Sequence, residues 1–238
     1  MIVVEERCRY KAAHTGCGDL MLDYDTARVN MIESQLRPNR VTDDRLLEAF
    51  ARVRRELFVP QRLRSVAYAD EVVPLGNGRF MMDPVVPARL LQAAIVQPRD
   101  TVLVVGAATG YEAAILAMLA RTVIALEENA ELARFGRAAL VEHRIAPVTY
   151  VEEPLSAGHR ARAPYDVILF TGAVAEIPSE IAAQLADGGR IATVIKPVGG
   201  VGRATIATRT GGILAHRAIF DAATPLLPGF DPKPAFVF

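Results

Sequence analysis

The turn Gly106-Ala107-Ala108-Thr109-Gly110 joins an apolar run, Thr101–Val105, to an Ala/Leu-rich stretch beginning at Tyr111. A second apolar run, Val123–Leu126, ends in Glu127. Read physically, this is a buried strand, a small-residue turn, a helix, and a second strand closed by an acid. Such a turn lets the backbone approach a ligand closely, and the helix start directs free N–H groups at it. An acid about 20 residues past the turn can take ribose hydroxyls. The chemistry indicated is therefore the binding of a nucleotide-like ligand. Its candidate contacts are Gly106, Ala107, Ala108, Gly110 and Glu127, with the adjacent Glu128 able to share or exchange the acid's role. The bland alternative for Glu127 is an ordinary helix-capping acid. A dinucleotide oxidoreductase also uses such a unit, but the fuller Gly-x-Gly-x-x-Gly spacing is missing here.

The elements that must hold these residues are readable along the chain. Residues 23–37 carry apolar positions at Ala27, Met31 and Leu36, the pattern of an amphipathic helix. Thr42 or Asp43 caps a second helix whose buried face is Leu46, Leu47, Phe50 and Val53. Arg52, Arg54 and Arg55 read as a solvated face, since Glu48 and Glu56 interleave with them. A long loop from Val72 to Pro84 contains a hairpin signal at Asn77-Gly78, and loops of this kind are usually functional. Helices are expected over 85–96, 129–141 and 181–185, and strands over 101–105, 123–127, 148–151, 165–172 and 191–195. The segment 187–190 reads as a turn. Gly211-Gly212 joins two closing strands, and an extended Pro-rich tail covers 225–234. Thr171 ends the fourth strand on the edge where open α/β sheets bind ligands.

Alternating strands and helices demand an α/β fold: a mostly parallel, twisted sheet covered by helices on both faces. The final hairpin adds antiparallel strands. One domain is expected over 23–238, with 23–98 as a helical cap and loop, 99–238 as the ligand-binding sheet, and 1–22 as a flexible tail.

Composition narrows the function classes. The 238 residues hold 27 basic and 27 acidic side chains, so generic electrostatic binding to nucleic acid has no support. No apolar run approaches the roughly 20 residues that span a bilayer. Both cysteines, Cys8 and Cys17, lie in the first seventeen residues, which excludes a disulfide-built fold and suits a reducing compartment. The first 20 residues lack a secretory signal's apolar centre, so a cytoplasmic protein is expected. Cys8, His14 and Cys17 are too few and too irregularly spaced for a closed zinc site, and no metal is expected. His143, His159 and His216 are scattered, read as exposed, and have no assigned role.

From about Gln35 onward the chain resembles the protein-L-isoaspartate O-methyltransferases. The resemblance rests on Val41-Thr42-Asp43, Arg55-Glu56-Leu57-Phe58-Val59-Pro60, Ala67-Tyr68-Ala69-Asp70 and Pro74-Leu75-Gly76-Asn77-Gly78. It continues through the Gly106–Ala117 stretch, Ala163-Pro164-Tyr165-Asp166, Ile177-Pro178 and Gln184–Arg190, in order over about 200 residues. It implies a Rossmann-like methyltransferase fold, S-adenosyl-L-methionine as cofactor, and a carboxylate in damaged protein as acceptor. It assigns Gly106, Ala108 and Gly110 to the cofactor loop, Glu127 to the ribose, and Glu153 to the neighbourhood of the adenine.

The chain departs from the family pattern at four places. Val104 replaces an acid, Ala108 replaces a glycine, and Glu153-Pro154 replaces Asp-Gly. Phe80-Met81-Met82 stands where the family carries Thr-Ile-Ser before the proline, so the hydroxyls that contact substrate are absent. In this loop Arg79 could clamp a carboxylate, Met82 could line a pocket, and Asp83 would repel an anion if it faced one. The second expectation is accordingly a catalytically silent or acceptor-diverged relative that binds cofactor or a protein partner. A monomer is the default.

Overall fold

The computed structural model describes residues 23–145 and 148–232. The expected tail, with Cys8, His14 and Cys17, lies outside the described residues. Asp23 caps helix α1, Tyr24–Met31, which continues as a π-helical turn over Ile32–Leu36. Asp43 is the cap of α2, Asp44–Arg52; its carboxylate accepts from the N–H groups of Arg45 and Leu46. A 3₁₀ turn, Arg55–Phe58, follows. The expected hairpin forms as β1, Val73–Gly76, and β2, Arg79–Met81. Its turn places Asn77 and Gly78 at φ 53° and 70°, the left-handed region that an Asn-Gly pair tolerates. Helix α3, Val85–Ala94, stops two residues earlier than the sequence pattern suggests, with Ile95 left-handed after it.

The core then alternates β3 (Thr101–Val105), α4 (Tyr111–Ala117), β4 (Thr122–Leu126), α5 (Ala130–Glu142), β5 (Val148–Val151), β6 (Tyr165–Val174), α6 (Ser179–Ala182) and β7 (Leu185–Ile195). The closing strands are β8, Arg203–Thr210, and β9, Ile213–Asp221. One seven-stranded sheet runs in the order β5-β4-β3-β6-β7-β8-β9, parallel as far as β7 and antiparallel after it. β3, β4 and β6 are almost wholly buried, as strands covered on both faces must be.

Two expectations need correction here. The last short helix ends at Ala182, and Leu185–Arg190 belongs to β7, not to a helix end followed by a turn. Tyr165 pairs with Leu185 and Val167 with Arg190, so Asp187-Gly188 forms an irregularity inside the strand. Arg55 is also not on a solvated face, because its side chain is fully buried. The expected Pro-rich segment extends past the described residues, and its described part packs along its own sheet: Pro225 and Leu227 exchange backbone hydrogen bonds of 2.8 Å with Ala173.

Register positions the site. Val105 pairs with Leu126 on one side and Phe170 on the other, and Leu126 pairs with Val151. β3, β4 and β5 end together in this alignment, so the segments beginning at Gly106, Glu127 and Glu152 leave the sheet at one edge, although they lie far apart in sequence. Thr171 lies at the same edge but does not end its strand as the sequence pattern suggests: β6 outlasts its pairing with β3 and runs on beside β7 to Val174.

Candidate functional site

The turn after β3 is held from beneath. The N–H groups of Gly106 and Ala107 both donate to the Leu126 carbonyl, at 3.0 and 2.9 Å. Gly106, Ala108 and Gly110 have φ of 80°, 48° and 91°. Two of these fall on glycine, while Ala108 adopts a left-handed conformation that costs an L-residue roughly 1–2 kcal/mol. Its backbone has two compensating partners. The Ala108 N–H donates to Glu127 Oε2 at 2.7 Å, and its carbonyl accepts from the Tyr150 hydroxyl at 3.2 Å.

Glu127 is fully buried and its carboxylate is completely engaged. Oε1 accepts from the Asn129 N–H at 2.9 Å and Oε2 from the Ala108 N–H. Arg79 Nη1 lies 2.8 Å from both oxygens. A carboxylate offers about four acceptor positions, and these four contacts use them. The second terminal nitrogen of Arg79 donates to the Gly106 carbonyl, which also accepts from the Thr171 hydroxyl. The side chain of Arg79 is only 3% exposed. It enters from β2, so the hairpin loop and the cofactor-type turn form one polar knot.

The sequence marked Arg79 and Glu127 separately, for different ligands, but carries no signal that they pair across 48 positions. Leu227, from the C-terminal segment, was not marked at all. It lies over Gly106 and Gly172, and Phe80 approaches Gly172 from the hairpin. Together these two side chains roof the edge of the sheet.

The remaining candidates divide. Thr171 stands in the knot. Glu128 is exposed, and its carboxylate accepts weakly from the Leu155 N–H at 3.4 Å. Glu153 is half-buried, with the His159 ring 3.1 Å away, so that histidine is not simply exposed. His143 stacks on Phe58 with ring centroids 5.1 Å apart. Met82 is buried in the core. Asp83 turns onto its own chain and caps α3, accepting from the Val85 and Val86 N–H groups at 3.1 Å each. In that position it is a helix cap and presents no anion to the Arg79 side of the loop. Burial raises the Asp83 pKa above the ordinary carboxylate range.

Beneath the turn lies a second buried polar group. The Arg55 guanidinium sits 4.8 Å from the Tyr111 ring centroid. It donates to the carbonyls of Ala67 and Met82, so it ties the base of the hairpin loop to the cap. Tyr68 donates to Glu56 at 2.5 Å. Glu112 is buried, one of its oxygens has no hydrogen-bond partner, and desolvation raises its pKa.

A raised carboxyl pKa means that the folded protein holds a proton the unfolded chain has released. Stability should therefore fall as pH rises from the ordinary carboxylate range through the folded value. Glu112→Gln removes the part of that slope that Glu112 contributes, leaving that of Asp83. The variant is expected to match the wild type near pH 4 and to exceed it by about 1–3 kcal/mol at pH 8, the scale of one unsatisfied buried polar group. Urea unfolding followed by circular dichroism across that range checks it, and an unchanged slope would refute the assignment.

The parallel sheet with its small-residue turn, an acid ending β4 and an antiparallel closing pair define a Rossmann-like methyltransferase. Residues 27–212 match the family model described as Protein-L-isoaspartate(D-aspartate) O-methyltransferase (PCMT). A protein-L-isoaspartate O-methyltransferase of Koribacter versatilis is 41% identical over 172 residues, covering 72% of this chain and 76% of the relative. One from Methylorubrum populi is 39% identical over 176 residues, covering 74% and 82%. The chain belongs to the protein-L-isoaspartate(D-aspartate) O-methyltransferase family.

Two solved structures share the fold. A protein-L-isoaspartate O-methyltransferase superposes with a TM-score of 0.74 at 22% identity, over 85% of this chain and 66% of that one. A beta-aspartate methyltransferase (PCMT) from Plasmodium falciparum, in complex with S-adenosyl-L-homocysteine, gives 0.72 at 17% identity, over 86% and 97%. The relatives carry the names of enzymes, which favours a methyltransferase over a silent relative.

Proposed function

We propose that this protein transfers a methyl group from S-adenosyl-L-methionine to a carboxylate, the isoaspartyl side chain of damaged protein. The observation that carries this reading is Glu127, which ends β4 with an oxygen on the Ala108 N–H of the small-residue turn. That donor set suits a nucleoside: a carboxylate for the ribose hydroxyls beside a backbone cradle without bulky side chains. On this reading Gly106, Ala107, Ala108 and Gly110 form the cradle and Glu127 takes the ribose. Glu128, Glu153 and Thr171 border the same edge. In the present conformation the fit is conditional on Arg79, which already holds the carboxylate.

Bound there, the cofactor supplies a methyl group on a positively charged sulfur. An acceptor carboxyl with an ordinary pKa of about 4 is ionised near neutral pH, so no chain residue has to remove a proton. The protein's work is to align the acceptor oxygen and exclude water. Phe80 and Leu227 supply the apolar roof. Arg79 is the charged side chain of the β1–β2 hairpin, and its planar fork suits a carboxylate. An apolar cavity of about 410 Å³, lined by Val72, Pro74, Phe80 and Pro225, opens beside it. The enzyme is further proposed to act in the cytoplasm as a monomer. Among the described residues no helix is long and apolar enough to cross a membrane.

The test is methyl transfer from labelled S-adenosylmethionine to an isoaspartyl peptide, with the matching aspartyl peptide as control. Base-labile methyl ester on the first peptide alone is expected. Absence of ester on the isoaspartyl peptide, at saturating cofactor, would overturn the acceptor.

A further inference from the structure

We propose that Arg79 gates the cofactor site: its ion pair with Glu127 and the cofactor's ribose compete for the same carboxylate. The inference rests on the function proposed above and adds a closed state to it. Glu127 has no free acceptor position while Arg79 is in place, since its oxygens already hold Arg79 and the N–H groups of Ala108 and Asn129. The open face of the turn is covered as well. A Cβ placed on Gly106 would lie 2.7 Å from Arg79 Nη2, 3.0 Å from Leu227 Cδ2 and 3.1 Å from Thr171 Oγ1. The space that a glycine leaves for a ligand is therefore filled by the chain's own side chains.

Opening needs only the Arg79 side chain and the hairpin tip to move, since Val73, Leu75 and Met81 are packed in the core. β1 and β2 form a separate two-stranded sheet of four and three residues, and Gly76, Asn77 and Gly78 at its tip are exposed. Short hairpins of this kind have little stability of their own. The Nε of Arg79 is buried without a hydrogen-bond partner, so the closed arrangement leaves one donor unsatisfied. Closure lowers affinity through population: the apparent Kd is the intrinsic Kd divided by the open fraction.

The probe is S-adenosyl-L-homocysteine, titrated calorimetrically into the wild type, Arg79→Gln and Arg79→Met. Both variants remove the ion pair, and the glutamine retains a donor for the Gly106 carbonyl. Binding about 10-fold tighter or more is expected, corresponding to a wild-type open fraction of about one tenth or less. On the wild type, hydrogen exchange in residues 73–81 is expected to rise on saturation with the same probe. That measurement decides the matter if a variant fails to fold. Unchanged or weaker binding by folded variants, beside a wild type that binds, overturns the gate and leaves the methyltransferase reading standing. Slower exchange in the hairpin on binding also overturns it. No binding by the wild type or either variant overturns both the gate and the cofactor assignment.

Discussion

Glu127→Ala is expected to destabilise the protein by about 3–5 kcal/mol, the usual consequence of removing one partner from a buried ion pair. The substitution strands the Arg79 guanidinium, whose side chain is 3% exposed, and removes the acceptor from the Ala108 and Asn129 N–H groups. At a few degrees per kcal/mol for a domain of this size, the melting temperature should drop by roughly 10 °C or more. On the proposed function, binding of S-adenosyl-L-homocysteine should be lost as well.

The pair's own contribution can be separated from the rest. Arg79→Met leaves Glu127 with its two backbone donors, so it should cost less than Glu127→Ala. The double variant should be more stable than the sum of the single effects implies, by about 2 kcal/mol, because it leaves no charge stranded. Urea unfolding of all four proteins provides the cycle. Effects that add within about 0.5 kcal/mol, the range for independent sites, would mean that the two side chains are not coupled.

Arg55→Ala is the second large effect, expected at about 3–5 kcal/mol. Arg55 is fully buried, bonds the Ala67 and Met82 carbonyls, and packs on Tyr111. Alanine would leave two buried carbonyls unpaired and a void beside an aromatic ring. Arg55→Lys should not restore the loss, since one ammonium on a flexible stem cannot reach both carbonyls while stacking on the ring. The Met82 carbonyl lies just past β2, so this variant should also loosen the base of the hairpin that carries Arg79. Denaturant unfolding measures the first effect and hydrogen exchange in residues 73–81 the second. A loss below about 1 kcal/mol, typical of a surface site, would contradict the assigned role.

Arg55 shows how local pattern misleads. Flanked by Arg52, Arg54 and Glu56, it reads as part of a charged surface, and two of the three arginines are indeed exposed. The chain leaves α2 at Val53, where the backbone becomes extended, and the helical periodicity behind that reading no longer applies. The Leu185–Arg190 segment failed for a related reason. Asp187-Gly188-Gly189 is turn-like in isolation, but Leu185 pairs with Tyr165, and tertiary pairing carries the strand through a bulge. The Asn77-Gly78 hairpin, a helix cap at Thr42 or Asp43 and the closing Gly211-Gly212 hairpin needed no such context, and the structure selects Asp43 for the cap. Each rests on a dihedral or capping preference confined to a few residues.

By itself, then, the sequence determined the α/β class, the turn at Gly106–Gly110 and the acid at the end of β4, along with the family motifs that surround them. Those features follow from local periodicity and from residues with special backbone freedom. Only the tertiary structure decided what these residues touch. Parallel registry brings Gly106, Glu127 and Thr171 to one edge, and a hairpin nearly fifty residues before Glu127 delivers Arg79 onto its carboxylate. Leu227, a hundred residues after that acid, covers the turn. Contacts across such separations are set by strand alignment and burial, and no local pattern encodes them.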